Sequence, residues 1–193
     1  MTVRDAARDA YREAFPALAA SLVGGLFAGV VLSGMRAELR AVPGLLVLVP
    51  ALLATRGNVY GSLGARISTA LHQGLIEPRI RGGDERLRAA VAAALANGLL
   101  VSSFAAIAAF AILTVFGGSV APLPVLVATA LLSGLLSGIA LAGVVVTAVF
   151  AGYRRGRDPD TLVGPLVTTT GDLFGMLFLL VAVRLVLFVV GVI

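Results

Sequence analysis

Long apolar stretches without charge constrain this chain more than any other feature. No charged residue lies between Arg88 and Arg154, where two apolar runs are joined by the uncharged segment GGSVAPLP. A helix needs about 20 apolar residues to cross a hydrocarbon core of about 30 Å. Such runs recur along all 193 residues, of which only 13% are charged, whereas soluble domains have about 25%. The sequence excludes an ordinary soluble enzyme and predicts an all-α integral membrane protein.

Five apolar segments predict five transmembrane helices per chain. We call them spans 1 to 5 and place them at about residues 14–34, 42–71, 89–116, 123–151 and 162–183 or beyond. A transmembrane barrel would show short alternating segments instead. Residues 1–13 lack the pattern of a signal peptide. We therefore expect them to remain as a cytoplasmic segment, with residues 14–193 forming one transmembrane domain.

The arginines orient the predicted bundle. All 15 basic residues are Arg, and ten of them lie before span 1, between spans 2 and 3, or between spans 4 and 5. The opposite side has only Arg36 and Arg40. The positive-inside rule then places the N-terminus in the cytoplasm and the C-terminus outside the plasma membrane. Because the arginines alternate with apolar runs, we expect a lipid bilayer and no nucleic acid as partner.

Asp172 is the only acid within a predicted span, near the middle of span 5. A lone carboxylate in lipid costs roughly 2.5–3.5 kcal/mol on insertion scales, so such residues face a bundle interior or a water-filled cavity. The residues Pro165, Thr168 and Thr169 share its helical face. Pro165 has no N–H to donate and so frees a carbonyl one turn back, which can face a cavity if the helix is broken there.

Two structural alternatives stand beside a cation site at Asp172. The threonine hydroxyls could instead bond to the carbonyls four residues earlier. The carboxylate could be neutralised by one of three arginines within the apolar runs, namely Arg56, Arg66 and Arg184.

Span 2 contains the second polar element, PALLATRGNVYGSLGARISTALH. Gly57 and Gly61 leave the backbone bare on one side, and Asn58 adds an amide oxygen on a neighbouring stripe. With Pro50 before them, we expect a kinked or locally unwound helix. Carboxylate, carbonyl and amide oxygens are the ligands of hard divalent cations. The chain has no Cys and one His, so no cluster for zinc or copper competes.

Mg²⁺ gives up its waters reluctantly, and one carboxylate per chain cannot build an all-protein cage. Two chains about a shared axis would bring two Asp172 carboxylates to one hydrated ion. The residue inventory therefore predicts a two-fold dimer. Two GxxxG pairs, Gly25 with Gly29 and Gly134 with Gly138, favour close helix contacts, either inside the bundle or between copies.

Two segments of this sequence resemble the MgtE family of divalent-cation transporters, most closely its eukaryotic solute-carrier branch. Residues 50–72 are similar to that branch's P-x-L-L-x₃-G-N-x₄-L/Q-x₂-R-x-S-T pattern. Residues 158–175, DPDTLVGPLVTTTGDLFG, are similar to the family's D-P-x-x-x-x-x-P-x-x-T-x-x-x-D pattern. The five-span layout extends the resemblance to nearly the whole chain.

The resemblance implies a five-helix domain that pairs about a two-fold axis, with spans 2 and 5 lining a pore. It implies that the acid at position 172 holds a hydrated Mg²⁺, assisted by backbone carbonyls and the Gly-Asn region. Carried over to this sequence, the metal-site positions are Asp172, Asn58, Gly57, Gly61, Thr168 and Gly164. About 13 residues precede span 1, so we expect no cytosolic Mg²⁺-sensing domain.

These observations predict transmembrane transport of Mg²⁺, or of a related divalent cation, by a homodimer. One alternative is an exchanger in which Asp172 couples Mg²⁺ to Na⁺ or H⁺. Another is a non-transporting membrane scaffold subunit. An enzyme is not expected, because the sequence contains neither HExxH nor a Ser/His/Asp set.

Overall fold

The structure is a computed structural model that describes residues 3–79, 84–155 and 159–191. Within these ranges the chain forms six α-helices and no strand. In chain order they are α1 (Val3–Gly34), α2 (Arg36–Ala41), α3 (Leu45–His72), α4 (Glu85–Val115), α5 (Leu123–Arg154) and α6 (Pro159–Val190). Arg81 and Arg157, two of the arginines used to orient the bundle, lie outside the described residues.

Four helices of the described chain are long and apolar enough to cross a membrane: α3, α4, α5 and residues 164–190 of α6. They coincide with predicted spans 2 to 5, which confirms an all-helical membrane architecture. The apolar part of α1, Leu18–Gly34, is shorter. A fifth crossing by α1 therefore stays a prediction. The helix itself begins at Val3, well before the predicted start of span 1.

Neither polar helix is interrupted, so local unwinding of span 2 and a break of span 5 at Pro165 are not found. The α3 helix runs without interruption through Pro50 and Gly57, and α6 runs through Pro165. The physical reason is that each unsatisfied backbone group costs several kcal/mol in a bilayer. In α3, moreover, the side chains of Arg56 and Tyr60 on either side of Gly57 are buried against neighbouring helices, which holds the segment helical.

The apolar interior consists of two cores stacked along the bundle. The first core joins the start of α3, near Leu48, to the second half of α6, near Val183, together with Ala28 of α1. The second core joins the end of α3, near Ile67, to the first half of α6 at Val167. Since the start of one helix meets the end of the other, α3 and α6 run antiparallel. Arg56 lies between the two cores.

The helices do not surround one another evenly. The α6 helix packs against α1, α3 and α5, whereas α1 packs mainly on α6 and scarcely touches α3. From this packing, and from the exposure of Gly164 and Thr168, we infer an open groove along α6, with α1 on one side and α3 on the other. We call it the α6 groove.

Small residues make the closest helix contacts. In α5, Gly134 packs on Ser102 of α4, and Gly138 packs on Tyr60 of α3, so this GxxxG pair serves internal packing. In α1 the residue that contacts α6 is Gly24, while Gly25 and Gly29 face away from the protomer with open space around them. The GxxxG pair of α1 therefore makes no contact within the protomer.

Candidate functional site

Helical spacing places five of the six predicted site residues along the α6 groove. Leu53 and Arg56 of α3 lie against Gly175 of α6. One and two turns further along α3, the same face carries Gly57 and Gly61. Both are only partly buried, and a Cβ added to either would meet nothing within 4 Å.

The α6 side of the groove has the matching polar residues. Gly164, Thr168 and Asp172 are spaced by four residues and so share one face of the helix. The α6 helix runs antiparallel to α3. Starting from the contact between Gly175 and Arg56, the residues Asp172, Thr168 and Gly164 therefore follow one another in the same direction along the bundle as Gly57 and Gly61. Thr168 is exposed and Asp172 partly buried. The groove thus has a carboxylate, a hydroxyl and bare backbone along one open strip.

Asp172 has no ion-pair partner among the described residues. The two ion pairs found there are Glu77 with Arg79 and Glu38 with Arg184. Arg56 donates to the hydroxyl of Ser133 instead. None of the three arginines proposed as neutralising partners therefore plays that role in this structure, and the carboxylate remains available to a cation.

The threonines beside Asp172 bond to their own helix. The hydroxyl of Thr168 donates to the carbonyl of Gly164 at 3.0 Å, and that of Thr169 donates to the carbonyl of Pro165 at 2.8 Å. The alternative of back-bonding is thus the one the structure adopts. Thr169 also lies 3.1 Å from the hydroxyl of Ser21 in α1. The Thr168 oxygen can still accept hydrogen bonds, since it is a donor in this one.

Asn58, the sixth predicted residue, lies on the other side of α3. It lines a cavity of about 180 Å³ between α3 and α4, together with Ser62, Arg66 and Asn97. The structure therefore does not bring its amide to the strip that contains Asp172 within one protomer. In the described ranges no three His, Asp or Glu side chains come together as a metal-binding group.

The sequence does not predict where the side chain of Arg56 lies, and the structure buries it inside the bundle. It is 5% exposed, and its Nη2 donates to Ser133 Oγ at 2.6 Å. Its Nε and Nη1, and the Tyr60 hydroxyl, have no hydrogen-bond partner among the described residues. The void beside them, lined also by Ser102, has a volume of only about 10 Å³.

A second unforeseen contact joins α2 to the far end of α6. Arg184 Nε donates to Glu38 Oε1 at 2.7 Å, and the Glu38 side chain is 8% exposed. Burial raises the pKa of Glu38, but the hydrogen bond and charge of Arg184 and a backbone contact outweigh it and hold this pKa below its ordinary value. The two residues are 146 positions apart, so no local pattern signals the pair.

Long apolar helices with a lone carboxylate among them define a polytopic α-helical membrane protein. The family comparison agrees. Residues 49–182 match the MgtE family, described as divalent cation transporter, and this match covers more than half of the chain. The chain belongs to the MgtE family, a family of transporters rather than enzymes.

Curated relatives come from vertebrates. Solute carrier family 41 member 2 of Homo sapiens is 30% identical over 164 residues, covering 78% of this chain and 28% of that protein. Solute carrier family 41 member 3 of Rattus norvegicus is 28% identical over 157 residues, covering 78% of this chain and 33% of that protein. The chain thus spans a third or less of each relative.

Proposed function

We propose that this chain transports Mg²⁺ across the plasma membrane along the α6 groove. The observation that supports this most is the Asp172 carboxylate, partly buried between two membrane helices and without an ion-pair partner among the described residues. Membership of a family described as divalent cation transporter supports the class of cargo. The reaction is movement of an ion, and no covalent step is involved.

The ion passes with its water shell largely intact. Mg²⁺ dehydrates reluctantly and is bound by one or two carboxylates with several waters. In the α6 groove, Asp172 supplies the charge, and Thr168 contacts the waters. Gly57, Gly61 and Gly164 lack side chains, which leaves room for a hydrated ion close to the backbone. Such contacts are weak enough for the ion to leave, as conduction requires.

Two copies of the chain complete the site. One groove is open on the side away from α6, and one carboxylate leaves a divalent ion half neutralised. A two-fold axis facing the groove would place two Asp172 carboxylates about one ion and close the path, with α3 and α6 of both copies as its walls. Asn58, turned toward α4 in one protomer, would contribute through water or from the partner copy.

The same proposal includes the topology. Residues 1–13 lie in the cytoplasm, α1 supplies the fifth crossing, and residues 14–193 form the transport domain. The arginine bias supports this orientation, because Arg79, Arg86 and Arg154 belong to the cytoplasmic side and only Arg36 and Arg40 to the other.

The test is Mg²⁺ influx into proteoliposomes containing the purified protein, with no Na⁺ or pH gradient. Wild type is compared with Asp172→Asn, which keeps the shape of the side chain and removes its charge. Glu38→Gln is the matched control, since it removes the same charge from a buried acid outside the groove. We expect influx in wild type and in Glu38→Gln, and at least a tenfold loss in Asp172→Asn.

Other outcomes point elsewhere. Influx that appears only under a Na⁺ or H⁺ gradient would indicate a coupled exchanger. Absence of influx under every gradient, with folded protein confirmed by size-exclusion chromatography, would favour a non-transporting scaffold. Wild-type influx in Asp172→Asn would show that the ion does not pass this carboxylate.

A further inference from the structure

The charge of Arg56 is buried at the level of the proposed ion site. Its guanidinium lies against Gly175, and a Cβ on that glycine would be 2.5 Å from Nη1. Asp172 is three residues from Gly175, about 4.5 Å along the α6 axis. The fixed positive charge therefore lies within roughly 10 Å of the carboxylate, yet the two groups form no ion pair.

No counter-charge lies beside Arg56 in the described part of the protomer. Its one hydrogen-bond partner there is the neutral hydroxyl of Ser133, and two of its three nitrogens are unpartnered. The adjoining void of about 10 Å³ has room for at most one water molecule and none for an anion. Apart from Asp172, the buried acid is Glu38, which is engaged by Arg184.

A buried, unpaired cation is expensive, so its position calls for a reason. A structural anchor would be expected to satisfy its donors, because guanidinium groups offer five N–H donors in a fixed fork. In this structure one guanidinium nitrogen has a hydrogen-bond partner, Ser133. The charge is held in place by this bond and by contact with the helix that contains Asp172.

We infer that Arg56 is a specificity-determining residue that limits the affinity of the α6 groove for cations. This inference rests on the proposed function. A fixed positive charge repels an ion at Asp172 in proportion to the ion's own charge, so it weakens the binding of Mg²⁺ twice as much, in free energy, as that of Na⁺. Two carboxylates and two such arginines give a two-copy site no net charge, which prevents a divalent ion from being trapped.

The test measures half-saturating concentrations in proteoliposomes. For Mg²⁺ the readout is influx, and for Na⁺ it is competition against Mg²⁺. The neutral variants are Arg56→Gln and Arg56→Met, and Arg56→Lys keeps the charge. Arg66→Gln is the matched control, because it removes the same charge from the same helix on its exposed, α4-facing side. Ser133→Ala removes the tether but not the charge.

We expect both neutral variants to lower the half-saturating Mg²⁺ concentration by about tenfold, and that of Na⁺ by only about threefold, the square root. Their maximal rate should fall as ion release slows. Arg56→Lys and Arg66→Gln should keep wild-type values, and Ser133→Ala should shift them by less than the neutral variants. The valence dependence is a readout that a purely structural role would not produce.

Equal shifts for the two ions, or the same shift in Arg56→Lys, would overturn the inference. So would failure of both neutral variants to fold while Arg56→Lys folds, since that would make Arg56 a structural anchor. If Asp172→Asn abolishes influx and the neutral variants keep wild-type half-saturation, this inference alone fails. If Asp172→Asn transports like wild type, the proposed site itself is wrong.

Discussion

At the scale of single residues, Glu38 and Arg184 make a pH-dependent contribution to stability. The pKa of Glu38 is lowered from 4.5 in the folded protein, so the stabilisation is fully present above that value and is lost as pH falls through the folded pKa. We expect Glu38→Gln to cost about 1 kcal/mol at pH 7, because Arg184 is more than half exposed. The measurement is Tm in detergent from pH 7 to pH 3.5.

The matched control for that prediction is Glu77→Gln. Its ion pair with Arg79 spans 3.2 Å but both side chains are more than 70% exposed, so its loss should leave Tm unchanged at pH 7. Wild type should lose more stability than Glu38→Gln between pH 5 and pH 3.5. Parallel pH curves for wild type and Glu38→Gln would contradict this account.

Residues differ in how far sequence alone could place them. Asp172 is predictable, because a lone acid in an apolar run must face a polar environment. The absence of an ion pair at Asp172 among the described residues is not predictable, because three arginines in the apolar runs were possible partners. Arg184 bonds to Glu38, which lies in a different helix, and Arg56 bonds to a serine. These choices depend on which helices become neighbours, and spacing along one helix contains no such information.

At the scale of helices, the contact between α1 and α6 depends on Gly24. A Cβ there would be 2.6 Å from Thr169 Cγ2 and 3.0 Å from the Thr169 carbonyl oxygen, and the carbonyl belongs to a helix that cannot yield locally. We expect Gly24→Ala to separate the helices and destabilise the protein by about 1–3 kcal/mol. Thermal unfolding in detergent is the measurement.

Gly25→Ala is the control at the next position. Its Cβ would meet nothing within 4 Å, and alanine favours a helix over glycine by about 1 kcal/mol. We therefore expect equal or slightly higher stability in this variant. Similar losses in both variants would mean that Gly24 does not form the contact. Sequence pattern favours the Gly25–Gly29 pair as the packing motif of this helix, and the structure uses the adjacent face.

Helices as units were the most predictable part of the fold. The apolar runs located α3, α4 and α5 to within a few residues, because hydropathy alone determines where a chain can cross lipid. Continuity through Pro50, Gly57 and Pro165 does not follow from the sequence. Local propensity favours a break at these residues, but the bilayer penalises bare backbone and the packing of Arg56 and Tyr60 holds α3 together.

At the scale of the whole molecule, the open α6 groove allows two arrangements. Two chains share one ion path, or each chain has a path of its own. If one ion needs an Asp172 from each copy, a dimer with a single Asp172→Asn chain should not transport. Equal amounts of wild-type and variant chains, mixed at random before reconstitution, should then give about a quarter of the wild-type influx. If each chain transports alone, the same mixture should give about half.

Mixing requires exchange of chains, which two affinity tags on the two kinds of chain can establish by sequential purification. A mixture with Glu38→Gln in place of Asp172→Asn should keep nearly full influx, since that residue lies outside the groove. Influx of about half in a mixture with proven exchange would show that two carboxylates do not share one ion. The path would then run between α1, α3 and α6 of a single chain, where Asp172 is the acid that the described part of the groove offers.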